Sequence, residues 1–284
     1  MKVAKTIKSV RNLVKAARNR GKRIGFVPTM GALHIGHISL IKKAKQQTGF
    51  VVVSIFVNPT QFGPSEDFKK YPRPIKSDLA ICRKAGVDVV FAPGSQQMYP
   101  SENLTWVDVG KLTEPLCGRF RQGHFRGVAT VCTKLFNIVA PDMAFFGQKD
   151  AQQAIVIKQM VTDLKMPLKI VVCPTVRQAD GLAVSSRNQY LTRQQKKDAT
   201  YIYKALKKSE NLIKTGTKKS KIIIGEMKKI LKQVPSMKIE YISIVDAETL
   251  QEPDKVTGRV LIAAAVKIGS TRLIDNILVD VSGR

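Results

Sequence analysis

Histidine is scarce in this sequence: three residues among 284, at positions 34, 37 and 124. Cysteine is nearly as rare. Cys82, Cys117, Cys132 and Cys173 lie far apart and form no C-x-x-C pair, so reduced, mostly buried thiols are expected. No apolar run reaches the roughly 18 residues needed to span a bilayer, and Met1-Lys2-Val3-Ala4-Lys5-Thr6 lacks the apolar core of a signal peptide. The expectation is a cytoplasmic protein with no membrane contact, in which Asn103-Leu104-Thr105 means nothing as a glycosylation acceptor. Aromatic residues make up 6% and do not interleave with basic ones, which leaves no stacking platform for single strands. Acidic residues number 21 against 48 lysines and arginines, a balance of +27. That field gathers anionic substrates and can hold nucleic acid non-specifically. Much of the excess, however, sits in polar helical stretches such as 204–232, which read as a solvated surface.

What is present begins with length. A chain of 284 residues exceeds the usual single core, and 44% hydrophobic residues suit a globular protein, so two domains are expected: 1–174 and 175–284, with the border at Pro174. No repeat or low-complexity tract interrupts them.

The informative stretch is Pro28-Thr29-Met30-Gly31-Ala32-Leu33-His34-Ile35-Gly36-His37. It follows the apolar run 23–27, suited to a buried parallel strand, and precedes 38–45, whose apolar positions suit a helix face. A helix N-terminus offers unpaired N–H groups and the positive dipole end, so an anion such as phosphate is stabilised there. Gly31 and Gly36 allow a ligand close to the backbone, and His34 and His37, three apart, share one side of a turn and can donate to oxygens whose charge grows during reaction. Two other readings stand beside this one. Zinc ligation lacks the third and fourth ligand, and helix capping without chemistry is open to any lone four-residue match.

In chain order, 3–20 reads as an amphipathic helix, 51–57 as a central strand, 74–85 as a helix and 87–92 as a strand, with Thr105–Val109 a short further strand. Asn58-Pro59-Thr60-Gln61-Phe62-Gly63-Pro64 cannot continue a strand and forms a second wall of a crevice beyond the strand ends. The amides of Asn58 and Gln61 suit a hydroxylated carboxylate, with turn chemistry as the alternative for Asn58. Arg119 to Gly127 gathers three arginines and His124. This basic loop either closes over phosphates, the favoured reading, or caps the helix that follows. Strand 143–146 leads into Gly147-Gln148-Lys149-Asp150, where Lys149 can neutralise phosphate oxygens and Asp150 can accept from ribose or hold a divalent ion. After strand 169–173, Gly181 to Asn188 supplies Ser185, Ser186 and Arg187, a set that clamps a terminal phosphate unless it only caps a helix. Two lysine-rich helices within 193–233 and three closing strands describe a small α+β domain. The fold class is therefore α/β: a Rossmann-like parallel sheet with helices on both faces, plus a smaller C-terminal α+β domain.

Five segments, Pro28–His37, Asn58–Gly63, Arg121–Gly127, Gly147–Gln153 and Ser185–Asn188, together resemble the pantothenate synthetase (pantoate–β-alanine ligase) family of the HIGH-motif nucleotidylyltransferases, over nearly the whole chain. The resemblance implies ATP along Met30, Gly31, Ala32, Leu33, His34, Ile35, Gly36 and His37, along Gly147, Gln148, Lys149 and Asp150, and at Val176, Val184, Ser185, Ser186 and Arg187. It implies Mg²⁺ on the ATP phosphates, pantoate at Gln61 and Gln153, β-alanine at Gln61, and His37 as the catalytic histidine. His34, Lys149, Ser186 and Arg187 would act with His37 on the phosphates, residues 175–284 would form a lid, and the protein would be a homodimer. The sequence departs from the family pattern at Ile35, often Glu, and at Gln148, usually Glu. The implied reaction joins pantoate to β-alanine through a pantoyl adenylate, releasing AMP and pyrophosphate. A nucleotidyltransferase without an amine acceptor, or a basic nucleic-acid-binding protein on a vestigial nucleotide fold, are the rival readings.

Overall fold

The computed structural model describes residues 1–64 and 66–281. They fall into two compact units, one of Met1–Glu114, Gly118–Gln148 and Gln152–Pro174, the other of Pro115–Cys117, Lys149–Ala151 and Thr175 onward. The second unit thus includes two short segments that lie well before Pro174 in the chain.

The first unit is built on a six-stranded parallel sheet. In chain order it contains β1 (Lys2–Ala4), α1 (Ile7–Arg18), β2 (Ile24–Thr29), α2 (Ile35–Gln47), β3 (Phe50–Ile55), α3 (Ile75–Lys84), β4 (Val89–Phe91), α4 (Ser95–Met98), α5 (His124–Val139), β5 (Met143–Gly147), α6 (Ala151–Asp163) and β6 (Lys169–Cys173). Successive strand residues point to opposite faces, so Phe26 and Val52 pack under α1, α5 and α6 while Val27, Val51 and Val53 pack against α2 and α3. Both faces are buried, which is why these strands read as continuous apolar runs. The strand order is β1-β4-β3-β2-β5-β6. From β2 the chain winds outward through β3 and β4, then returns to add β5 and β6 on the other side. The reversal falls between β2 and β5, and a crevice opens beyond the carboxyl ends of strands at such a point.

Two elements differ from the sequence reading. Lys2–Ala4 is a strand paired with β4 rather than the start of α1, an edge too short to show an alternating pattern. Thr105–Val109 lies in neither sheet; Val107 N–H donates to Thr130 Oγ1 at 3.0 Å, and the side chains of Val107 and Val109 pack against the core of the unit.

The second unit has α7 (Arg193–Lys214) and α8 (Ser220–Leu231), and an antiparallel sheet of β7 (Met237–Asp246), β8 (Gly258–Ile268) and β9 (Thr271–Val281) in sequential order. Thr192 caps α7 reciprocally with Gln195. One core joins Leu206, Ile223, Met227 and Leu231 of the helices to Ile244, Ile262 and Val266 of the sheet. Among the described residues, no helix is long and apolar enough to cross a membrane.

Candidate active site

The histidine loop leaves the carboxyl end of β2, next to β5, at the reversal of strand order. Thr29 ends the strand, its hydroxyl donating to Ser54 O at 2.7 Å and accepting from Gly31 N at 3.1 Å. The turn needs left-handed backbone at Gly31 (φ +86°) and Ala32 (φ +50°), and a Cβ on Gly31 would lie 2.9 Å from Asp78 Oδ2. Asp78, on α3 and 1% exposed, accepts from Ala32 N at 2.9 Å and Leu33 N at 2.8 Å. Burial pushes its carboxyl up, against the opposing pull of those two amides.

His34 is the N-cap of α2. Its Nδ1 accepts from Gly36 N and, in return, His37 Nδ1 accepts from His34 N, both at 3.2 Å, and the rings lie 4.1 Å apart. A backbone N–H can only donate, so each Nδ1 must be unprotonated and each neutral ring carries its proton on Nε2. The capping reading is realised, and the cap selects the tautomer, which leaves one N–H donor on Nε2 of each ring. Gly36 has no room for a side chain, because its Cβ would fall 2.9 Å from the His34 ring.

At the end of β3, Asn58 (1% exposed) is fully committed. Its Nδ2 donates to Gly127 O at 3.2 Å and Gln61 Oε1 at 3.1 Å, and its Oδ1 accepts from Tyr99 Oη at 2.8 Å and Thr60 Oγ1 at 3.1 Å. The Gly127 carbonyl decides the orientation of this amide, and with it that of Gln61, whose oxygen is occupied by Asn58 and whose Nε2 donates to Met30 Sδ at 3.2 Å. Of the expected pair, Gln61 presents a donor beside the histidine loop, and Asn58 spends its amide on positioning it.

Within the basic loop, Arg121 and His124 are engaged by the protein itself. Arg121 forks onto Glu66 (2.8 and 2.6 Å) and donates to His124 Nε2 at 2.8 Å, while His124 Nδ1 donates to Gln61 O at 2.8 Å. Arg121 and the neutral His124 clasp the Gln61 turn to α5, and Arg126 stacks over Trp106 near Asp108. Local sequence could not show this, because the partners lie about 60 residues away.

Gly147 ends β5, and Gln148–Asp150 forms a 3-10 turn before α6, on which Gln153 is half-buried. Lys149 and Asp150 belong to the second unit, with Nζ and Oδ1 3.6 Å apart. The same unit holds Val176, whose carbonyl accepts from Val184 N at 3.0 Å, and the 3-10 turn Ser186–Tyr190, capped by Ser185 and clasped by Asn188 Nδ2 on Ala183 O. Of the expected ATP residues, Met30–His37 and Gly147–Gln148 thus lie in the first unit and the others in the second, as do Gln61 and Gln153 in the first.

Among the described residues, no group of three or more His, Cys, Asp or Glu side chains could hold a metal by itself. Burial pushes the thiols of Cys82 and Cys132 up to about 12, which removes both as nucleophiles at neutral pH.

The family model for pantoate–β-alanine ligase matches residues 2–278. The chain belongs to the pantoate–β-alanine ligase family. Within it, the chain is 54% identical to pantothenate synthetase of Moorella thermoacetica, over 99% of this chain and 100% of that one, and 52% identical to that of Acetivibrio thermocellus with the same coverage. A crystal structure of the ligase from Thermus thermophilus superposes with a TM-score of 0.93 at 42% identity, covering 98% of this chain and 99% of that one. The Francisella tularensis ligase, solved in complex with β,γ ATP and β-alanine, gives 0.81 at 38% identity, covering 98% and 97%.

Proposed function

We propose that this ligase condenses pantoate with β-alanine to pantothenate at the expense of ATP, through a pantoyl adenylate. The observation that carries the proposal is the histidine loop at the strand reversal, with two tautomer-fixed imidazole donors and the Gln61 amide N–H beside Met30.

A carboxylate is a poor electrophile, since its leaving group would be oxide. A pantoate oxygen attacks the α-phosphorus of ATP, the bond to the bridging oxygen breaks and pyrophosphate leaves. The amine nitrogen of β-alanine then attacks the acyl carbon, AMP leaves and the nitrogen loses its proton. No protein nucleophile is needed, so the side chains orient the reactants and neutralise charge. His34 and His37 would donate from Nε2 to the phosphates as charge moves to the leaving group; Lys149, Ser186 and Arg187 would serve the same oxygens. Met30–Ile35, Gly36, Gly147, Gln148, Asp150, Val176, Val184 and Ser185 would line the nucleotide, and Gln61 and Gln153 would hold pantoate, with β-alanine also at Gln61. Mg²⁺, when bound, would neutralise phosphate charge; the Asp150 carboxylate, 3.6 Å from Lys149 Nζ, would suit an ion that keeps most of its ligands from substrate and water.

The test is AMP formation from ATP and pantoate with β-alanine present or withheld, together with pantoate-dependent exchange of pyrophosphate into ATP. Exchange without β-alanine and amide formation with it support the reading, whereas exchange that ignores pantoate would sink it.

The same proposal takes residues 175–284 as a lid, the cytoplasm as location and a homodimer as the assembly. Leu104, 83% exposed, and Trp106 on the unsheeted segment supply apolar surface for a second copy, which light scattering of the purified protein checks.

A further inference from the structure

In Leu273-Ile274-Asp275-Asn276-Ile277-Leu278 a polar pair interrupts an apolar strand. Asp275 and Asn276 are 4% and 5% exposed in the middle of β9, opposite Ala264 and Ala263 of β8. Their side chains serve two separate loops. Asp275 receives a fork from Arg177 (2.5 and 3.0 Å), and Arg177 also donates to Gly181 O at 3.2 Å and Asn276 O at 3.3 Å, with its guanidinium 4.0 Å from the Tyr203 ring centroid. Gly181 is left-handed (φ +91°), and a Cβ there would meet Tyr203 at 2.4 Å. The short hairpin bridged at Arg177 and Ala183 is thereby bolted to β9, and the chain leaving it is Val184–Arg187. Asn276 Nδ2 donates to the carbonyl of Lys149 at 2.8 Å. Burying a carboxylate and a guanidinium costs desolvation that the pair's attraction only roughly offsets, and a polar break in an apolar strand is a local inconsistency of the kind found at functional sites.

We propose that Asp275 and Asn276 are positioning residues for adenylation: one rigid strand sets the hairpin that leads to Ser186 and Arg187 and the backbone that carries Lys149. The proposal rests on the reading that Lys149, Ser186 and Arg187 meet the ATP phosphates. Neither side chain touches substrate in this account; both act by limiting where those three groups stand, and displacement of about 1 Å is enough to cost on the order of 100-fold in rate.

The experiment is a double-mutant cycle read by pantoate-dependent pyrophosphate–ATP exchange. Asn276→Ala is expected to lower exchange about 10- to 100-fold with the KM for pantoate unchanged, and to cause little further loss in a Lys149→Ala background, because its effect passes through Lys149. Losses that multiply independently, or an unchanged rate, overturn the proposal. Asp275→Asn leaves Arg177 buried without its partner and risks unfolding. The paired change Arg177→Met with Asp275→Leu keeps the site packed, and it should retain the thermal transition while losing exchange; a folded variant with full exchange overturns the hairpin half. Lys149→Ala and Arg187→Ala serve as the separate check. If both exchange normally, the phosphate reading itself is wrong; if both are impaired while the β9 variants are not, only the positioning role fails.

Discussion

Replacing Asp78 with Asn tests whether a buried carboxylate holds the histidine loop in its reactive shape. The two carboxylate oxygens accept separately from Ala32 N and Leu33 N at 2.9 and 2.8 Å, in a site 1% exposed. An amide keeps one acceptor and turns an NH₂ toward the other backbone N–H, so one charge-assisted bond, worth about 1.5–3 kcal/mol, is lost and a donor is left facing a donor. Against this, the amide relieves the desolvation that pushes the carboxyl up. The net expectation is a loss of about 1–3 kcal/mol, seen as a lower urea midpoint at unchanged slope, with pyrophosphate–ATP exchange down about 10- to 100-fold as the turn shifts. The pH dependence has a definite sign. The folded carboxyl titrates above its unfolded value of 3.8, so its ionised form is a penalty at neutral pH that fades on acidification. The stability gap between wild type and variant should therefore widen as pH falls through the window above 3.8. Stability within about 0.5 kcal/mol of wild type together with unaltered exchange would refute the reasoning.

Further predictions concern single side chains. His37→Ala removes an Nε2 donor and the reciprocal cap of His34, and is expected to lower adenylation by about two to four orders of magnitude, read in single-turnover AMP transfer. Gln61→Ala should raise the KM for pantoate while ATP binding survives in a titration without pantoate; the reverse pattern would mean that the substrate wall is elsewhere. Gly127→Ala places a Cβ 2.2 Å from Thr60 O, backbone that cannot yield cheaply, and should destabilise by about 1–3 kcal/mol or more in thermal unfolding. Glu210, its carboxyl held low by hydrogen bonds from Lys207 and Lys214, contributes stability above pH 4.5 that is lost as pH falls through its folded value. Glu210→Gln should remove less than about 1 kcal/mol at pH 7 and flatten that acid limb of the stability profile.

The sequence by itself determined most of the architecture, because the central parallel strands are buried on both faces and read as unbroken apolar runs, and the surface helices such as α1 carry an apolar stripe. It also located the histidine loop, since glycines and a strand-to-helix handover are local features. Tertiary structure alone decided what the polar residues do. Arg121 looked like a phosphate cation until its partner Glu66 came within 2.6 Å, and Asn58 looked like a ligand until four neighbours used all of its hydrogen-bonding capacity. Asp78 sits in the apolar stripe of α3, and Asp275-Asn276 breaks an apolar strand; both oddities are visible in the one-dimensional text, but their partners are 45 to 127 residues distant. Hydrophobic patterning acts through period and neighbour, so it is written along the chain. A hydrogen bond depends on which group arrives at about 3 Å, and only the folded backbone sets that.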